Sequence, residues 1–234
     1  MAISERFGKA TEQLSSDKLS MRIAGVYLLE RLANDSPGDL GPITEVLSAF
    51  ARDQASIQRC EATITPKGIQ TGLDAQAVLS ALGRMPRGNM RADLSGTCFV
   101  GMDLRGTNLS GLDFTGASFV GTRFTNVNFS GSILERAVLS TAQFDQTDLS
   151  GTKLSGADLF NARFKATTVA GADFSAANLT AADLSNITGL TMDQFQPPHY
   201  YTPGSPYNEP YAYCAANTRW PEGFTPPHCF EWVR

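Results

Sequence analysis

From Leu94 to Leu184 a large apolar residue returns at every fifth position, nineteen times without an insertion. This constrains the fold more than any other feature of the chain. The series runs Leu94, Phe99, Leu104, Leu109, Phe114, Phe119, Phe124, Phe129, Leu134, Leu139, Phe144, Leu149, Leu154, Leu159, Phe164, Val169, Phe174, Leu179, Leu184; these residues are termed the centres. Two positions before each centre stands Ala, Thr, Ser or Val, with Met102 and Leu112 the two exceptions. The residue just before the centre is Asp or Asn in ten repeats, and Gly follows two positions after it in ten. The consensus is therefore small–Asp/Asn–Leu/Phe–Ser/Thr–Gly.

A period of five matches neither the 3.6 of a helix nor the 2 of a strand. It matches a chain that turns a corner every five residues, with the centre and the small residue both pointing inward. Asp, Asn, Ser and Gly suit corners because they satisfy or permit turn geometry. Four such sides close a coil of about twenty residues, and coils stack at about 4.8 Å, the usual strand spacing. Nineteen repeats make nearly five coils of a solenoid, each stabilised mainly by its neighbours. Burying one centre contributes about 1.5–3 kcal/mol before chain entropy is subtracted. Phe124, Phe144 and Phe164 should lie directly above one another, as core filling and not as a cofactor site.

The runs Ala-Asp-Leu-Ser-Gly at 92–96, Ala-Asp-Leu-Phe-Asn at 157–161 and Ala-Asp-Phe-Ser-Ala at 172–176 resemble the pentapeptide-repeat proteins. The resemblance implies a mainly β fold, a right-handed quadrilateral β-helix. Residues 6–52 resemble a helical region that precedes the repeats in many bacterial members. Some members resemble duplex DNA in shape and charge, bind DNA gyrase and protect it from poisons, so the resemblance also raises gyrase as a partner.

The flanks read differently. Residues 1–57 carry apolar residues at helical spacing: Phe7, Ala10 and Leu14; Leu19, Ile23, Val26, Tyr27 and Leu32; Ile43, Val46, Leu47 and Phe50. Ser4, then Ser16 or Asp17, then Ser36 with Asp39 are the candidate helix starts. Residues 58–90 form a connector, with a turn at Pro66-Lys67-Gly68 and a short helix from Thr71 to Gly83 that should cover the first coil. Residues 91–188 hold the repeats. The pattern fails at Gly189, and residues 189–234 become a Pro- and aromatic-rich cap or tail, expected against the last coil or flank or joining two copies in a homodimer.

The rest of the composition narrows the function. Net charge is −4, without the basic footprint that nucleic-acid binding needs. No apolar run approaches the length of a membrane span, and the first residues carry no secretory pattern, which places the chain in the cytoplasm. Cys60, Cys98, Cys214 and Cys229 are far apart. In a reducing compartment they read as four free thiols, with a Cys214–Cys229 bridge the alternative under oxidising conditions. His199 and His228 both lie in the tail, which leaves the repeats without a histidine base. The chain is read as no enzyme, with no metal and no cofactor.

The unbroken period assigns outward residues to four sides. Side one carries Asp93, Asp113, Glu135 and Asp173 against Lys153 and leans acidic. Side three mixes Arg105, Arg123, Arg163 and Lys165 with Asp103, Asp145 and Asp183; side four is nearly uncharged. Side two presents Cys98, Val100, Val120, Val138 and Phe160, with Asp158 its only charge. Outward apolar residues on a flat side mark a surface that something covers: the helical region, the tail or a partner. The expected function is a protein–protein interaction scaffold, and the alternative a DNA-mimicking modulator of gyrase. B-DNA carries one negative charge per about 1.7 Å, so a matching coil needs about three net charges. Residues 91–186 hold nine acidic and seven basic residues, which favours the scaffold.

Overall fold

The computed structural model describes residues 3–56, 60, 64–65, 68–69, 72–86, 88, 91–195, 214 and 217–226. The chain opens with three helices, α1 (Ile3–Leu14), α2 (Leu19–Asp35) and α3 (Leu40–Gln54). Their inward residues, among them Ala10, Val26, Leu29, Leu32, Ile43 and Leu47, are fully buried. Gly25 is where α2 crosses α1, because a Cβ there would lie 2.9 Å from the Ala10 carbonyl oxygen. The helix starts differ from expectation in detail. Ser4 lies inside α1, and Lys18, not Ser16 or Asp17, precedes α2 without a side-chain cap. Ser36 and Asp39 do act together: the Ser36 hydroxyl donates to Asp39 at 2.6 Å across the 3-10 turn Pro37–Asp39 that leads into α3.

Two short strands, β1 (Ile64–Thr65) and β2 (Gly68–Ile69), pair antiparallel. Helix α4 (Leu73–Arg84) follows, packed on α2 and α3. Gly83 does not end this helix. It lies inside α4 where the helix meets the first coil, and a Cβ there would sit 2.9 Å from the Asn108 carbonyl oxygen.

From Ala92 the chain winds through four flat sides per turn. Parallel bridges join residues twenty apart on every side: Asp93 to Asp113, Cys98 to Ser118, Asp103 to Arg123, Asn108 to Asn128. Side three is regular enough to form a five-stranded parallel sheet, β3 (Asp103–Arg105), β4 (Arg123–Thr125), β5 (Gln143–Asp145), β6 (Arg163–Thr168) and β7 (Asp183–Thr188). Its five strands are separated by four full turns. The ladder follows the parallel pattern: Phe119 N–H donates to the Val138 carbonyl at 2.7 Å, and Val138 N–H to the Ala117 carbonyl at 2.9 Å.

All nineteen centres are buried, none more than 3% exposed. The small inward residues are buried too, except for half-buried Thr107. At four of the six Thr in this slot the hydroxyl reaches back one turn to the carbonyl of an earlier centre, whereas Thr97 and Thr107 donate to the nearby Leu94 and Arg105 carbonyls. Thr122 donates to Phe99 at 2.7 Å, Thr152 to Phe129 at 3.0 Å and Thr167 to Phe144 at 3.2 Å. That is how a polar residue is tolerated in this core. Phe124, Phe144 and Phe164 stack as the spacing predicts, with centroids 5.0 and 4.7 Å apart.

The lower end closes as soon as the repeat fails. Gly189 has φ +81°, and a Cβ there would meet Ala170 at 2.9 Å, so no side chain fits in the place of a centre. The 3-10 turn Met192–Phe195 then brings Phe195 under the last complete turn, stacked on Phe174 at 5.8 Å. Phe174 N–H donates to the Gln194 carbonyl at 2.8 Å, and the Gln194 amide donates to Val169 O. Arg219 pairs with Asp183 in a parallel bridge and accepts from Leu184 N–H at 2.8 Å, acting as one more rung on side three. Trp220 and Phe224 complete an aromatic plug around Phe195. The core runs without a break from the helices through every turn into this plug.

Candidate interaction surface

The consensus Asp and Asn residues are structural at most of their positions. The Oδ1 atoms of Asp93, Asn108, Asp113, Asn128, Asp148, Asp158, Asp173, Asn178 and Asp183 each accept the N–H two residues on, at 2.8–3.2 Å. This is the turn that Asx residues form with their own backbone, so most carboxylates of the repeats hold corners.

The same use engages the carboxylates of side one without removing their charge. Asp113 and Asp173 bind corner N–H groups and also accept the Thr115 and Ser175 hydroxyls at 2.6 and 2.5 Å. Asp93 pairs with Arg52 of α3 at 2.9 Å. Burial works against its charge, but the Ser95 hydroxyl and N–H, with Arg52, hold its carboxyl below the usual carboxylate range. Glu135 is half-buried on the same side. The uppermost member of the acidic column thus fastens the helices to the first turn.

Side two divides in the same way. Cys98 and Val100 are 5% and 7% exposed, so they belong to the covered part of this side and not to a free surface. Cys98 is disulfide-bonded to Cys60, with Cα atoms 5.5 Å apart. Its N–H donates to the Ala55 carbonyl at 2.5 Å, and Ser56 bridges Thr97. The reading of four free thiols is therefore corrected: none of the described cysteines is free. Cys214 is fully buried and also disulfide-bonded, while Cys229, the partner expected for it, lies outside the described residues. No spacing rule signals the Cys60–Cys98 pair, because its members come from different elements and meet only when the chain after α3 folds onto the first turn.

Further down, side two is only partly buried. Val120 and Val138 are half-buried and Phe160 is 37% exposed. Val120 and Phe160 lie in one column, two turns apart, with Val138 in the neighbouring column. The one charge of this side is occupied in the plane of the sheet: Asp158 accepts from the Ser140 hydroxyl at 2.5 Å, the Asn178 amide at 2.9 Å and Phe160 N–H at 3.1 Å. Side three is the charged counterpart. Asp103 pairs with Arg105 and Arg123 at 2.8 and 3.3 Å, and Asp145 with Lys165 at 3.5 Å.

A cleft of about 590 Å³ opens between the α1–α2 connection and α3, lined by Ser15, Asp17, Arg22, Phe50, Asp53 and Gln54 among others. Arg22 is engaged there by Asp74 at 2.8 Å and by the Ser16 and Asp17 carbonyls at 3.1 Å. Among the described residues no group of three His, Cys, Asp or Glu could hold a metal, and no helix is long and apolar enough to cross a membrane. His199 and His228 lie outside the described residues.

Residues 90–126, 122–161 and 157–188 match the family model described as Pentapeptide repeats, in eight copies. No curated protein matches the chain. Among solved structures it is similar to the pentapeptide repeat protein Rfr23 of the cyanobacterium Cyanothece 51142, at 21% identity over 55% of this chain and 90% of that one, with a TM-score of 0.43. It is similar to a trypsin-treated form of QnrB1, a plasmid-mediated fluoroquinolone resistance protein, at 28% identity over 43% of this chain and 48% of that one, with a TM-score of 0.40. A pentapeptide repeat protein of Nostoc Pcc 7120 is 32% identical over 48% of this chain and 77% of that one, with a TM-score of 0.33.

Proposed function

The chain belongs to the pentapeptide-repeat proteins through residues 90–188, and on that premise we propose that it is a non-catalytic protein–protein interaction scaffold which docks a partner on the lower part of side two. The observation that carries this is the grouping of half-buried Val120 and Val138 with exposed Phe160 on one flat, almost uncharged side. A rigid column of strands holds such a patch in fixed geometry, so docking costs little ordering entropy. The neighbouring sides present paired charges that would form the polar rim of an interface. The test is the double variant V120D/F160D. It should keep the melting temperature of the wild type and lose at least tenfold in recovery of bound protein in affinity capture. Unchanged recovery would remove side two from the reading.

The second reading is a modulator of DNA gyrase that mimics duplex DNA. The acidic column of side one speaks for it. Against it stand the Arg52–Asp93 pair, Lys153 within the column, and a charge balance of nine acidic to seven basic residues across 91–186. A supercoiling assay with purified gyrase, with and without a fluoroquinolone, separates the two readings. The scaffold reading expects no effect at micromolar protein; inhibition or protection would make side one the functional surface.

A further inference from the structure

In sequence the four cysteines lie before or at the start of the repeats and after their end, with none between Cys98 and Cys214. The described ones are all bonded. These ends are the weak points of the architecture, because an end turn has a neighbour on one side only and presents unpaired strand edges. At the upper end the Cys60–Cys98 bond joins the chain after α3 to side two of the first turn. It stands beside the Ser56–Thr97 bridge, the Cys98–Ala55 hydrogen bond and the Arg52–Asp93 pair. At the lower end Cys214 is bonded and fully buried, four residues before the Thr218–Arg219 segment that pairs under the last turn.

We propose that this protein works in an oxidising compartment, where the Cys60–Cys98 disulfide staples the upper cover onto the solenoid and a second bond holds Cys214 in the segment that closes the lower end. Disulfides persist where the surroundings are oxidising and are rare where thioredoxin and glutathione keep thiols reduced. A chain that places every described cysteine in a bond, and does so only at its covers, is built for the former. It is the alternative to the cytoplasmic expectation drawn from the sequence. It is independent of which side binds a partner. The Cys60–Cys98 bond closes a segment of 38 residues in sequence, long enough for the cross-link to restrict the unfolded chain substantially.

The first experiment takes the full chain from its native host, lysed in iodoacetamide without reductant and analysed by peptide mass spectrometry. The expected result is a linked Cys60–Cys98 peptide pair and no alkylated cysteine. Alkylated Cys60 and Cys98 would overturn the proposal. The second measurement treats the oxidised protein with dithiothreitol. The reagent delivers two electrons and two protons to each bond, giving two thiols while it closes to its own cyclic disulfide. Reduction should lower the melting temperature by roughly 5–15 °C and release amide protection at residues 92–98 before the middle turns. The C60S/C98S variant should melt like the reduced wild type. If the oxidised and reduced proteins melt alike, the bonds are not staples and the proposal falls. The reduction experiment uses wild-type protein, so it remains informative if the variant fails to fold.

Discussion

The residue two after each centre sets the corner, and eighteen of the nineteen such positions have positive φ. Ten are Gly; the others are Asn126, Arg136, Thr141, Gln146, Asn161, Ala166, Ala176 and Ala181. An L side chain pays for this conformation, most of all a β-branched one. Thr141 at φ +60° is the clearest case: it is exposed, and its hydroxyl donates only to the adjacent Ser140 carbonyl. Thr141→Gly should therefore stabilise the protein by about 1 kcal/mol, the strain relieved less the added freedom of the unfolded chain; urea denaturation reads the change. A second prediction concerns Asp183. Burial opposes its charge but is outweighed by the Ser185 hydroxyl and N–H and by Arg219, leaving its pKa lowered. A carboxyl lowered on folding contributes stability above its unfolded pKa of about 3.9 and loses that contribution as pH falls through the folded value. Melting temperature should drop as pH is lowered below about 4, and Asp183→Asn should flatten that drop while slightly lowering stability at neutral pH.

Among the elements, α4 shows how closely the helices fit the solenoid. Its glycine reads from sequence as a helix stop, yet it is a contact point: the backbone of Asn108 and the side-chain methyl of Thr107 come too near for any side chain. Gly83→Val would press a methyl group onto a carbonyl that belongs to the first turn and cannot move alone. The expected cost is about 1–3 kcal/mol, read as loss of hydrogen-exchange protection in both α4 and the first turn. The same helix carries Asp74, buried and paired with Arg22 of α2, and Arg84, which binds Glu30 through two contacts of 2.7 Å. Burial of the Arg84 charge is outweighed by the hydrogen bond to Glu30, so its pKa lies above the ordinary arginine value. These pairs fix how α4 sits on α2, and through α4 how the helical layer sits on the first turn.

At the scale of the whole molecule, the decisive problem is closing two ends of a stack that would otherwise grow. The upper end is closed by helices, and the lower by the plug of Phe195, Trp220 and Phe224 with Arg219 as an added rung. Trp220→Ala should loosen that plug and uncover the last turn. Concentration-dependent association by light scattering is expected while the repeat core stays folded by circular dichroism. A variant that remains monomeric at all concentrations would mean that Arg219 and Phe195 close the end without Trp220.

The period-five pattern determined the length of each side, the identity of every centre and which residues of the repeats face outward; with the four sides that the family resemblance implies, it also set the vertical column of Phe124, Phe144 and Phe164. It could do so because each position repeats the same local constraint, and a fault of one residue would turn every later side chain to the wrong face. What the tertiary structure decided are the contacts between parts that share no period. Cys98 looks like an outward residue of side two and is sealed by Cys60; Asp93 looks like a free carboxylate and is held by Arg52; Gly83 looks like a stop and is a contact. Each depends on where the helical layer comes to rest on the first turn, and that is set by shape and burial across segments far apart in the chain, a relation no local spacing encodes.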